Sequence, residues 1–208
     1  MLRLKQFAED NLPTLFGDSW RVCLIDNNSD QPTQKKLLRI SNSKHFSYIH
    51  QSLPENLKEN LNLGFSSNMD FNPTIVAIWE TDAVPSVTTF TSMIDLFIEE
   101  RLNIASVSPM YKWHGQFCYP THRHWHTDPI YRNHPKHGSI TKVHAVPFLF
   151  SLWTPKSMQY INHGSLRPFV HLDSDFGKML SDTGKLHLRM KEYHVGHWNG
   201  GKMTRNSK

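Results

Sequence analysis

At 208 residues, with 38% hydrophobic and 12% aromatic residues against 20% charged, the chain has the makings of one globular domain with a sizeable core, which excludes a disordered or fibrous protein. No apolar run approaches a membrane span and the start, Met1-Leu2-Arg3-Leu4-Lys5, lacks a signal-peptide core, so a cytoplasmic protein is expected. The formal charge of +5 is spread without a run of five basic residues, which predicts a solvated surface and no nucleic-acid or membrane partner.

Residues 2–16 read as a helix broken near Pro13. Trp20 to Ile25 and Lys36 to Ile40 read as strands separated by the turn-rich Asp26-Asn27-Asn28-Ser29-Asp30. Leu53 to Leu63 predicts a helix stopped by Gly64, and the β-branched run from Thr74 to Thr81 a strand. Ser86 to Asn103 is the clearest helix, with Val87, Phe90, Ile94, Phe97 and Ile98 at helical spacing. From Met110 onward the pattern turns to short strands. Tyr111, Trp113, Phe117 and Tyr119 share one face, and Ala145 to Trp153 is apolar enough for a strand buried on both sides. A final strand is expected from Lys185 to Trp198. The expected fold is mainly β with N-terminal helices (α+β), a double-stranded β-helix or jelly roll. It forms a single domain over 1–208, with 1–105 as support and 106–208 as the metal-bearing portion.

Fourteen histidines are the unusual feature, most of them between His114 and His197, whereas Cys23 and Cys118 form no pair and are expected to be reduced. In Thr121-His122-Arg123-His124-Trp125-His126-Thr127-Asp128, an extended backbone puts His122, His124, His126 and Asp128 on one face. His126 and Asp128 then offer an imidazole nitrogen and a carboxylate oxygen to a metal. A third ligand follows from parity in the last strand: Leu186, Leu188 and Met190 mark the inward face, which carries His194 and leaves His197 outward. Two histidines and a carboxylate on one side of a metal leave positions open and suit Fe(II). A chelating cosubstrate with a distal carboxylate needs a buried cation, and Arg205, beyond the Asn199-Gly200-Gly201 turn, is the candidate. The remaining histidines His114, His134, His137 and His144 read as loop or surface residues.

These residues resemble the His-x-Asp…His…Arg pattern of the Fe(II)/2-oxoglutarate-dependent oxygenases, and Trp125-His126-Thr127-Asp128 is similar to the string in taurine dioxygenase-like and phytanoyl-CoA hydroxylase-like members. The resemblance covers the C-terminal half. It implies Fe(II) on His126, Asp128 and His194, and 2-oxoglutarate gripped by Arg205 and Ser207. O2 would be the second cosubstrate, and the expected reaction is hydroxylation of a small polar metabolite or amino-acid side chain. The rivals are a zinc hydrolase, for which His124-Trp125-His126-Thr127-Asp128 is followed by Pro129 instead of histidine, a cupin-type metalloprotein using His122 and His124, and a non-catalytic metal-binding module.

Overall fold

The computed structural model describes residues 2–52, 56–81, 83–113, 116–118, 130–168 and 171–197. Helix α1 (Leu2–Phe16) runs through Pro13 instead of breaking there. The carbonyl deprived of its donor belongs to Glu9, an exposed residue, where water can take the amide's place. Next comes a strand–helix–strand unit, β1 (Val22–Asn27), α2 (Gln31–Ser41) and β2 (Phe46–Gln51), with the strands parallel from Val22↔Phe46 to Asn27↔Gln51. Helix α2 corrects the expectation of a strand over Lys36–Ile40. Asp30 caps it by accepting the Thr33 N–H at 2.9 Å, Pro32 occupies its first turn, and Leu37 and Ile40 are buried while Leu38 is exposed. Three apolar residues within a five-residue stretch have no period that separates helix from strand.

Helix α3 (Leu57–Ser66) passes through Gly64, which does not stop it. Glycine serves there because α3 lies against β1, and a Cβ would collide with the Ile25 side chain. After a 3-10 turn (Met69–Phe71) come β3 (Val76–Trp79), β4 (Ala83–Pro85) and α4 (Val87–Glu100). Ser86 caps α4, accepting the Thr89 N–H at 3.0 Å. Its buried stripe is Phe90, Met93, Ile94 and Phe97, whereas Val87 and Ile98, expected on that stripe, are exposed.

The remaining elements are β5 (Ile104–Trp113), β6 (Gln116–Cys118), β7 (Ile130–His134), β8 (Gly138–Val143), β9 (Phe150–Trp153), α5 (Pro155–Met158), α6 (Leu172–Asp182) and β10 (Leu186–His197). Strands β3 to β10 make one sheet in the order β3-β9-β5-β10-β8-β7, with β4 also on β10 and β6 also on β5. β5 and β10 are parallel, and the other pairs are antiparallel. The α+β class is as expected. The described strands, however, form one mixed sheet beside the parallel β1–β2 pair, not the two facing antiparallel sheets of a jelly roll. Alternation in sequence decides which residues are strand; it does not decide which strand pairs with which, or in what direction.

Strand β10 sits inside this sheet and is buried on both faces from His187 to Met190. Leu188 and Met190 join the core that includes Phe90, Phe97, Val107 and Phe150. His187 and Arg189, expected to face outward, are buried on the other side; His187 lies under α6, whose Phe176 and Leu180 build a second core with Trp153. The His187 ring is fully partnered. Its Nε2–H donates to the Gly177 carbonyl at 3.0 Å, and its Nδ1 accepts the Ser106 hydroxyl at 2.7 Å. Gly177 permits this approach, since a Cβ there would lie 2.6 Å from the Ala145 Cα.

Burial pulls the His187 pKa down to about 4, opposed by the Gly177 carbonyl and helped by His144. Between about pH 6.5 and pH 4 the unfolded chain takes up a proton that the folded ring refuses. Stability contributed by the neutral ring is therefore complete above that window and declines as pH falls through it, by about 3 kcal/mol. Urea unfolding at pH 7 and pH 4.5 should show this loss in the wild type and a smaller one in His187→Gln; equal losses would disprove the assignment.

Candidate functional site

The directions of the strands fix where chemistry can gather. β3 is separated from β5 by β9, with both contacts antiparallel, so β3, β5 and β10 all run the same way. Their carboxyl ends, at Trp79, Trp113 and His197, emerge at one edge of the sheet. Arg21, just before β1, holds its guanidinium 4.7 Å from the ring of Phe71, which precedes β3. In open α/β sheets ligands bind outside the carboxyl ends of parallel strands, where helix N-termini and turns supply polar groups.

At the end of β1 stands Asp26, 2% exposed. Its Oδ1 accepts the Ser29 N–H at 3.0 Å, and its Oδ2 accepts the Tyr48 hydroxyl at 2.7 Å and lies 3.0 Å from His50 Nδ1. Burial alone would raise the Asp26 pKa; the hydrogen bonds from Ser29, Tyr48 and His50 outweigh it and hold the carboxyl down to about 2. Burial, together with Asp26, pushes Tyr48 up to about 12. A permanently charged carboxylate thus ties the turn after β1 to two residues of β2. The turn presents Asn27 and Asn28 to solvent, Asn28 in the left-handed conformation at φ 63°. The sequence signal was an aspartate closing an apolar strand with serine three residues later; it read only as a turn.

Between β1 and β3 runs a groove of about 790 Å³. Val22 to Ile25 line one side and Val76 to Thr81 the other, with Trp20 and Arg21 among its residues as well as Glu80. Its size is that of small-molecule pockets, and its walls are mainly apolar. Glu80 follows β3 directly and is exposed; its N–H bonds the Leu149 carbonyl at 2.8 Å. Asp82 comes two residues later in the sequence and lies outside the described residues.

His126, Asp128, Arg205 and Ser207 also lie outside the described residues, as do His122 and His124. His194 is described, and it is exposed, not inward. The cause is a register shift against β5 between Met190 and His194: Met190 pairs with Pro109 and His194 with Met110. This irregularity resets the alternation, so Val195 becomes the buried residue. His197 pairs with Trp113 at the carboxyl edge. His137, expected at the surface, is 1% exposed, and with His134 and Glu99 it brings three ligand atoms within 4.8 Å of one another. No helix among the described residues is long and apolar enough to cross a membrane.

No family model matches this sequence, and neither does any curated protein. Solved structures do match. GalNAc-T7 with UDP, GalNAc and Mn2+ superposes with a TM-score of 0.64 at 10% identity, covering 91% of this chain and 39% of that one. Apo UDP-glucose pyrophosphorylase gives a TM-score of 0.54 at 7% identity over 93% of this chain and 79% of its own. A197 from STIV gives 0.50 at 14% identity, covering 85% and 83%. This chain thus spans 39% of the GalNAc-T7 chain, and at these identities the likeness is one of fold.

Proposed function

We propose that this chain is an enzyme that binds a nucleoside-diphosphate sugar at the carboxyl edge of its parallel strands and catalyses transfer from it. The observation that carries this reading is the convergence of β3, β5 and β10 on one edge, where Glu80 follows β3 and lines a groove of about 790 Å³. Two structures of similar fold are named for this class of molecule, one with UDP, GalNAc and Mn2+ and one for UDP-glucose. The turn at Asn27 and Asn28 offers amide donors and acceptors suited to a base edge or ribose. A diphosphate needs a hard cation, and oxygen ligands suit Mn2+ or Mg2+. Glu80 is the carboxylate at the end of β3 that fits this role, and Asp82 adds a second oxygen donor nearby in sequence. With a divalent cation bound there, its chemistry is to neutralise the diphosphate leaving group.

Calorimetric titration with UDP, UDP-glucose and UDP-GalNAc tests this directly. Binding should require Mn2+, and Glu80→Ala should weaken the Mn2+-dependent part by roughly tenfold or more, about 1.4 kcal/mol. No binding of any of the three with Mn2+ present would overturn the reading. Asp26→Asn should cost about 2 kcal/mol of stability at pH 7, because the Asp26 carboxylate contributes fully above about pH 3.9 and loses its contribution only as pH falls towards 2. A denaturation midpoint unchanged by the substitution would contradict that role.

A second reading keeps the Fe(II)/2-oxoglutarate oxygenase, with Fe(II) on His126, Asp128 and His194 and 2-oxoglutarate on Arg205 and Ser207. One observation favours it. At Tyr111 to Trp113, β5 is flanked by β6, which leads into the histidine-rich segment, and by the part of β10 carrying His194 and His197. Anaerobic addition of Fe(II) and 2-oxoglutarate should then give a weak visible charge-transfer band, lost in His126→Ala and in Asp128→Ala. Arg205→Ala should raise the 2-oxoglutarate requirement by roughly two to three powers of ten. A wild type without the band would end this reading and leave the first untouched.

A further inference from the structure

We propose that Glu99, His134 and His137 form a transition-metal site of the kind that takes Zn2+, tying the end of α4 to the turn between β7 and β8. The three side chains come from separate places: Glu99 is in the last turn of α4, His134 ends β7, and His137 lies in the turn before β8. Their ligand atoms all fall within 4.8 Å of one another. Two imidazole nitrogens and one carboxylate oxygen are a donor set for Zn2+ with a fourth position left to water.

His137 supplies the independent observation. It is 1% exposed, yet neither Nδ1 nor Nε2 has a hydrogen-bond partner among the described residues. A buried imidazole ordinarily satisfies both nitrogens, as His187 does. The His134 and His137 rings stack at 4.5 Å between centroids, 25° apart, on the same turn.

His134 is already oriented. Its Nδ1 accepts the backbone N–H of Lys136 and of His137, both at 3.1 Å, and its Nε2 lies 2.9 Å from Glu99 Oε2. In the metal-free protein Nε2–H therefore donates to the carboxylate. A metal at Nε2 takes that proton's place, and the ring proton moves to Nδ1, which gives up the hydrogen bonds from the Lys136 and His137 amides, a cost that a metal–nitrogen bond outweighs. Arg132 does not hold Glu99 captive. Its Nη2 lies 3.1 Å from Glu99 Oε2 but 2.9 Å from Glu100 Oε1, so the guanidinium keeps a carboxylate when Glu99 turns. The charges facing the cluster are Asp95, Glu99 and Glu100 from α4 against Arg132 and Lys136, the latter paired with Asp95. Three carboxylates against two fixed cations leave room for a divalent ion. Glu99 is exposed, which gives the ion a way in.

The test uses the full chain stripped with a chelator and then titrated with Zn2+, read by equilibrium dialysis and by thermal unfolding. Wild type should bind Zn2+ and melt higher with it. Glu99→Gln, at an exposed position, and His134→Ala should each weaken binding by roughly 10- to 100-fold or more and lose the Zn2+-dependent rise in Tm. His137→Ala should do the same where it folds. His126→Ala combined with Asp128→Ala should keep the rise. Absence of Zn2+ binding, binding unchanged in Glu99→Gln and His134→Ala, or a rise lost in the His126 and Asp128 variant instead, would each overturn the site.

Discussion

Parallel strands cannot be joined by a hairpin, and the molecule is arranged around one such pair at its centre. After β5 the chain must travel the length of the sheet again before β10 can lie beside it in the same direction. It uses the excursion to finish the sheet: β8 covers the far side of β10, β9 covers the far side of β5, and α6 crosses one face before the return. The resulting strand is buried on both faces. This explains why β10 can carry Leu188 and Met190 towards one core and His187 and Arg189 towards the opposite face.

Burying those polar residues is acceptable only if they are satisfied, and for His187 the satisfaction comes from the neighbouring layers. Ser106 on β5 gives a hydroxyl to one nitrogen, and the α6 backbone at Gly177 takes the proton on the other. The ring thus reports the docking of α6 on the sheet, because removing either contact strands a buried polar atom. The same parallel arrangement sends three strand ends to one edge. The candidate ligand site is a consequence of the strand directions before it is a property of any side chain.

Much of the local structure was legible in the sequence. Helix α4 was readable because Ser86 caps it and Phe90, Ile94 and Phe97 recur at its period, and β3 and β10 because their apolar residues are β-branched or alternate. The strand partners were not legible, so alternating segments suggested a jelly roll where the chain makes a mixed sheet. Helix α2 was hidden because the decisive signals, Asp30 and Pro32, precede the apolar residues instead of lying among them. His194 was misplaced for a different reason. Parity is an argument about an unbroken strand, and one irregularity after Met190 turns His194 out and Val195 in. Asp26 was passed over because a carboxylate in a turn-rich stretch looks solvated; only the approach of Tyr48 and His50 from β2 makes it a buried anchor.

The donor atoms at each place constrain what can be held there, independently of any likeness. At the carboxyl edge, the carboxylate of Glu80 is a hard oxygen donor, and oxygen sets favour cations that also bind phosphate. At the end of α4 the donors are mixed, two imidazoles to one carboxylate, and such sets favour Zn2+ and its neighbours over Mg2+. Hardness therefore separates the two regions: a cation that bridges a diphosphate has little to gain from stacked imidazoles, and a metal that prefers nitrogen gains little from carboxylate oxygens alone. The histidines at 134 and 137 are built into a tight hairpin whose turn backbone fixes one of the two rings. A nitrogen pair on one hairpin suits an ion that stays, whereas the exposed carboxylate at the other edge suits one that arrives and leaves with its ligand.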